Sequence, residues 1–129
     1  MINSDGVILL IEDDDHQVLF MKRAFVVAGI PNPLRVAADG QEAIVYLSDK
    51  RRPPPALVLL DLHVPRVSGL RILEWMRQRP ELRETPVVVV TMSIEPDDRR
   101  RADDLGVAAY LCKPVDPEGL RELLESVRI

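Results

Sequence analysis

Three observations predict an α/β fold: a doubly wound sheet of five parallel strands with helices on both faces. Short apolar runs recur at intervals of roughly 22 to 31 residues; three of them lack the alternation of a half-exposed strand; helix-like segments separate them. A strand followed by a crossover helix and a parallel strand closes with right-handed geometry, which places helices on both faces.

The elements follow in order. VILLI at 7–11 is the first strand, and Asp15 to Ala28 the first helix, ended by Gly29, with Phe20, Ala24 and Val27 recurring at helical spacing on one face. Other apolar neighbours leave that buried stripe ambiguous. LRVAA at 34–38 is the second strand. Asp39, with Glu42 three residues on, opens a second helix carrying Ala43, Ile44 and Leu47. The basic proline stretch at 50–55 stops it, because proline lacks an amide donor and disfavours helix just before itself. We read this stretch as a stiff surface loop, too short for a polyproline ligand. ALVLL at 56–60 is the third strand, and Ser68 caps a third helix with Leu70, Leu73 and Met76 inward. VVVVT at 87–91 precedes a fourth helix from Asp97 to Leu105, ended by Gly106. YLC at 110–112 is the last strand, and Asp116 with Pro117 starts a fifth helix carrying Leu120, Leu123, Leu124 and Val127.

A chain of 129 residues has room for one core, so a single domain over 1–129 is expected. Net charge is −4, which argues against general nucleic-acid binding through phosphate neutralisation and points to a protein or small-cation partner. The lone Cys112 cannot form an internal disulfide, which fits a reducing cytoplasm. The polar start and the brief apolar run after it resemble neither a signal peptide nor a membrane span.

ILLIEDDDH at 8–16 puts four carboxylates at the mouth of a core strand. Two of them about 4 Å apart repel by roughly 1 kcal/mol in water and nearer 4 at an effective dielectric of about 20, so something should offset the charge. Open α/β sheets bind ligands beyond the carboxyl ends of their strands. There the sequence supplies Glu12, Asp13, Asp61, Thr91 and Lys113: three acids, a hydroxyl and an ammonium. No glycine-rich phosphate loop follows the first strand. Such a set matches a hard divalent cation, Mg²⁺ first, which takes one or two carboxylates, keeps waters and bridges to phosphate oxygens. Asp14 and Asp15 partly serve the positive end of the next helix. Taken singly, the acids before the helix could be a solvated cap and Asp61 could cap a turn; the joint arrangement favours a site.

The chain resembles a receiver domain of the bacterial two-component response regulators. IEDD at 11–14, LLDLHVPRVSG at 59–69, PVVVVTMS at 86–93 and YLCKP at 110–114 carry the resemblance. Its phrasing around Asp61 and Thr91, the proline loop and the lack of an output domain look most like small stand-alone regulators that partner phytochrome-type histidine kinases. The resemblance implies a flavodoxin-like strand order, 2-1-3-4-5. It implies Asp61 as the acceptor of a phosphoryl group from a histidine kinase. Mg²⁺ would lie on Asp13, Asp61 and the His63 backbone carbonyl, with Glu12 acting through water. Thr91 and Lys113 would hold phosphoryl oxygens. Tyr110 resembles a switch aromatic that turns inward with the threonine, although a half-buried aromatic at a strand start reads equally well. Lys113 precedes Pro114 at a position where the family's bond is cis. His63 and Ser93 occupy positions that tune the phosphate lifetime, and Met92 stands where a small residue is usual, either crowding the pocket or contacting a partner.

A regulator of this kind signals by contact, with a downstream protein or a phosphotransfer protein. A homodimer is expected through Met92, Ile94 and the fourth and fifth helices. The competing enzyme reading is a Mg²⁺-dependent phosphohydrolase with an aspartyl-phosphate intermediate; it wants an acid two residues after the nucleophile, where His63 stands. A third reading is a binding module that has lost phosphorylation.

Overall fold

Four of the five helices begin where a short polar side chain can satisfy the amides of a first turn. Asp14 Oδ1 accepts from the His16 amide at 2.8 Å, Asp39 Oδ1 from Glu42 at 2.8 Å, Ser68 Oγ from Arg71 at 3.4 Å and Asp116 Oδ2 from Gly119 at 3.2 Å. The computed structural model describes residues 5–92 and 94–127. In chain order the elements are β1 (Ile8–Ile11), α1 (Asp15–Ala28), β2 (Leu34–Ala37), α2 (Gly40–Ser48), β3 (Leu57–Leu60), α3 (Gly69–Arg77), β4 (Val87–Thr91), α4 (Pro96–Asp104), β5 (Ala109–Cys112) and α5 (Pro117–Ser126). All strand pairs are parallel and the order is β2-β1-β3-β4-β5, as expected from the sequence.

Alternate residues of the three central strands feed two cores. Leu9, Ile11, Val58, Leu60, Val87 and Val89 meet α2, α3 and Ala102 of α4 on one face. Ile8, Leu10, Leu57, Leu59, Val88 and Val90 meet Met21, Ala24 and Phe25 of α1 and Leu120 and Leu124 of α5 on the other. Strands covered on both faces need no polar alternation, which is why these runs are continuously apolar.

Three local expectations are corrected. The buried stripe of α1 is Met21, Ala24 and Phe25; Phe20 is 49% and Val27 72% exposed. Periodicity could not choose, because packing against α5 and the sheet selects among several apolar faces. Helix α4 starts at Pro96, one residue early, with Asp97 and Asp98 in its first turn and no side-chain cap. Its start rests on the preset proline φ and on acids near the positive helix end. Glu42 reaches back to the Ala38 amide at 3.4 Å, one residue before the cap that the sequence pattern assigns it.

The expected pairing surface also differs. Ile94 packs against the core, and the outward residues of α4, including Asp97, Arg99, Arg100 and Asp104, are charged. Met92 is exposed, while most other large exposed apolar side chains are on α1: Leu19, Phe20, Val26 and Val27. Among the described residues no helix is long and apolar enough to cross a membrane.

Candidate functional site

Register brings the predicted residues to one edge of the sheet. The Asp61 amide donates to the Ile11 carbonyl at 3.1 Å, which sets the start of the β3–α3 loop beside Glu12. The Lys113 amide donates to the Thr91 carbonyl at 2.9 Å, so the lysine leaves β5 next to the end of β4. The Lys113–Pro114 peptide bond is cis.

From there the Lys113 ammonium bridges two acids. Its Nζ lies 2.5 Å from Glu12 Oε1 and 3.1 Å from Asp61 Oδ2, with only 9% of its side chain exposed. Glu12, Asp61 and Thr91 are buried, whereas Asp13 is exposed at the rim. The second oxygen of Asp61, Oδ1, accepts from the His63 amide at 2.9 Å. Asp14 turns to the helix cap, as expected, while its amide donates to Glu12 Oε2 at 3.3 Å.

Burial raises the Glu12 carboxyl above its ordinary range, against the pull of the Lys113 hydrogen bond and the Asp14 amide. For Lys113, burial alone would lower the ammonium, but hydrogen bonds to Glu12 and Asp61 and their charges outweigh it and raise it. The cluster is thus a compensated one: two buried acids share one cation, and one acid remains at the surface.

One ligand oxygen from each of Glu12, Asp13 and Asp61 falls within 4.8 Å of the others. The donor set is all hard oxygen, with an exposed member through which water can complete a coordination shell, and it fits a small divalent cation. Among the described residues the cluster holds no histidine or cysteine, and the His63 side chain is exposed, so the donors are those of a hard, oxygen-preferring cation rather than of a zinc-type site. The cavity beside Lys113, lined in part by Gln17, Phe20 and Val115, measures only about 10 Å³. Larger clefts of about 310 and 700 Å³ surround Pro53, Pro54 and Pro55 near the amino ends of the strands, away from the acids.

Tyr110 points away from this edge, onto α4. Its hydroxyl donates to Asp103 Oδ1 at 2.6 Å, and the Arg99 guanidinium sits 4.1 Å over its ring. Burial, with Asp103 in support, pushes the phenol up to about 12. A phenol raised from 10 contributes stability that is complete below pH 10 and is lost as pH rises toward 12. Tyr110→Phe should therefore lose less stability than wild type between pH 10 and 12, measured by urea unfolding at each pH; parallel losses would show that the hydroxyl carries none of it.

Met92 is 76% exposed, so its side chain does not crowd the acid pocket. Ser93 lies outside the described residues. The sequence reading assigned Asp39 to capping alone and Arg66 to nothing. In the fold Arg66 has φ 73° and its Nε donates to Asp39 Oδ2 at 3.1 Å. The only signal in the sequence was a bulky residue within the prolyl turn after Asp61, and its partner is 27 residues away.

Comparison with known proteins bears on the family and the fold. Residues 8–125 match the family described as the Response regulator receiver domain. The probable methanogenesis regulatory protein FilR2 of Methanothrix harundinacea is 37% identical over 95% of this chain and 81% of its own. The response regulator Rcp1 of Synechocystis is 31% identical over 97% of this chain and 88% of its own. Its Mn²⁺-bound crystal structure superposes with a TM-score of 0.83 at 30% identity, over 96% of this chain and 98% of that one. The bacteriophytochrome response regulator RtBRR superposes with a TM-score of 0.86 at 35% identity, over 97% of this chain and 79% of that one.

Proposed function

Since the chain belongs to the response regulator receiver domain family, we propose that residues 1–129 form one receiver domain whose Asp61 accepts a phosphoryl group from a histidine kinase with Mg²⁺ bound. The observation that carries this reading is the Lys113 bridge between Glu12 and Asp61, with Asp13 open beside it. In the transfer, an Asp61 oxygen attacks phosphorus in line, the P–N bond of the phosphohistidine breaks, and its electrons return to the imidazole, which takes a proton from water. Such a transfer needs positioning and charge neutralisation more than covalent help. Asp61 is oriented by the His63 amide, the Lys113 ammonium lies 3.1 Å from its other oxygen, and Thr91, whose carbonyl accepts from the Lys113 amide at the end of β4, would offer its hydroxyl to the incoming oxygens. When bound by Asp13, Asp61 and the His63 carbonyl, with Glu12 through water, Mg²⁺ supplies further charge neutralisation.

The likeness to the bacteriophytochrome response regulator RtBRR supports a phytochrome-type kinase as the phosphoryl donor. Output is by contact. Lys113 exchanges Asp61 for the new phosphoryl oxygens, Thr91 moves toward them, and Tyr110 leaves Asp103 for the space vacated. The charged α4 face beside Met92 then changes what it offers a downstream protein, a phosphotransfer protein or a second copy of the chain. His63 and Ser93 tune how long the phosphoryl group stays. The phosphohydrolase alternative lacks its acid, since His63 stands where a second carboxylate is required.

Incubation with acetyl phosphate and Mg²⁺ tests the reading. Stoichiometric labelling is expected; rapid turnover would favour the hydrolase, and no label would favour a module without phosphorylation. Melting curves test the metal. Because Asp13 is exposed, Asp13→Ala should shift the chelator melting point by no more than about 2 °C. Wild type should gain about 1.4 kcal/mol at Mg²⁺ tenfold above its dissociation constant, a gain the variant loses. An unchanged Mg²⁺ response in Asp13→Ala would remove the metal assignment.

A further inference from the structure

We propose that Asp39 and Gly40, at the start of α2, together with Arg66 form a brace that positions the His63 carbonyl for the divalent cation, which makes them positioning residues for phosphoryl transfer. The inference rests on the metal reading above.

The β3–α3 loop from Asp61 to Gly69 is pinned on both legs. On the far leg the Gly69 amide donates to the Leu62 carbonyl at 3.1 Å, and a Cβ on Gly69 would lie 2.7 Å from the Asp61 carbonyl oxygen. Only glycine permits this approach. At the tip, the Pro65 carbonyl accepts from the Val67 amide at 3.0 Å and from the Gly40 amide at 3.1 Å. The turn is therefore closed on itself and tied to α2 through the same oxygen. A Cβ on Gly40 would sit 2.1 Å from the Val67 carbonyl oxygen, so α2 and the loop touch backbone to backbone.

Arg66 is at the centre of that turn, with φ 73°, a region that residues with a Cβ seldom occupy. Its side chain ties the closed turn to the start of α2: Nε reaches Asp39 Oδ2 at 3.1 Å, while Asp39 Oδ1 caps α2. The Arg66 side chain is 66% exposed, and an ion pair that open to water adds little to stability. Unfavourable backbone geometry kept by a weakly stabilising tether, three residues past a metal-ligand carbonyl, is what a positioning role requires. His63 lies between the two pinned legs, with its amide committed to Asp61 Oδ1. Its carbonyl direction then depends on where Pro65 and Arg66 are held.

Calorimetric Mg²⁺ titration of the full chain, with melting in chelator alongside, tests the brace. Arg66→Gly removes the tether and the need for it, so the loop can drift; Mg²⁺ affinity should fall on the order of tenfold, as for other residues that orient metal ligands. Arg66→Lys should recover most of the loss, and Gly40→Ala should reproduce it by displacing Val67. Melting of Arg66→Gly in chelator should stay within a few degrees of wild type. Wild-type Mg²⁺ affinity in Arg66→Gly overturns the brace, whatever the fate of Gly40→Ala. So does a lowered chelator melting point with unchanged affinity, the mark of a purely structural role. A wild-type protein that takes up no Mg²⁺, indistinguishable from Asp13→Ala, overturns the metal reading itself and the brace with it.

Discussion

Asp61→Asn protein should take up no label above background from acetyl phosphate or from a phosphorylated kinase. The amide is nearly isosteric but a poor nucleophile, and no neighbouring group takes over. Glu12 is already held by Lys113, and Asp13 stands exposed at the rim. The fold should hardly notice. The asparagine oxygen can still accept from the His63 amide, and Lys113 keeps its contact with Glu12, so the loss should be within about 1 kcal/mol. Mass spectrometry after exposure to acetyl phosphate reads the outcome directly. A variant labelled at the wild-type rate would move the acceptor to another residue.

Lys113→Ala should give the largest loss of stability at the site. The ammonium is the ion-pair partner of both Glu12 and Asp61, and all three side chains are buried. Removing one member of a buried set leaves uncompensated charge, which costs about 3–5 kcal/mol, or roughly 10–15 °C in a domain of this size. Two conditions should narrow the gap to wild type. Mg²⁺ replaces the missing positive charge. Acid does so by another route: burial already raises the folded-state Glu12 above its unfolded value, and losing Lys113 raises it further. A carboxyl with a raised folded pKa destabilises the fold above that pKa and ceases to do so as pH falls through it, so the deficit should shrink as pH drops toward 4.5. A deficit independent of both pH and Mg²⁺ would show that the lysine contributes packing alone.

The two predictions differ in how far the sequence alone supports them. Asp61, Thr91 and Lys113 could be placed at strand ends before any coordinates, since strands announce themselves as apolar runs and polar residues directly after them fall at one sheet edge. The compensation around Lys113 could not. Whether it pairs with one acid or bridges two depends on distances between residues 52 and 101 positions apart. The same holds for Arg77, which reads as an ordinary helix-end cation. Its guanidinium donates to the carbonyls of Leu105, Thr85 and Arg83, fastening α3 to the segments that lead into β4 and β5.

Near neighbours and periodicity govern the five strands, the five helices, the caps at Asp14, Asp39, Ser68 and Asp116, and the strand ends at which the acids, hydroxyl and ammonium stand, and all of these are legible in the sequence. Those signals are local, because a cap or an apolar run acts within a few residues of itself. Tertiary structure alone decided which face of α1 is buried, why α4 offers charge where an apolar pairing surface was expected, and how Arg66 is held to Asp39. Each of these turns on what lies opposite in space. A helix with several apolar faces is resolved only by its neighbours, and a left-handed arginine persists only where the surrounding backbone closes around it.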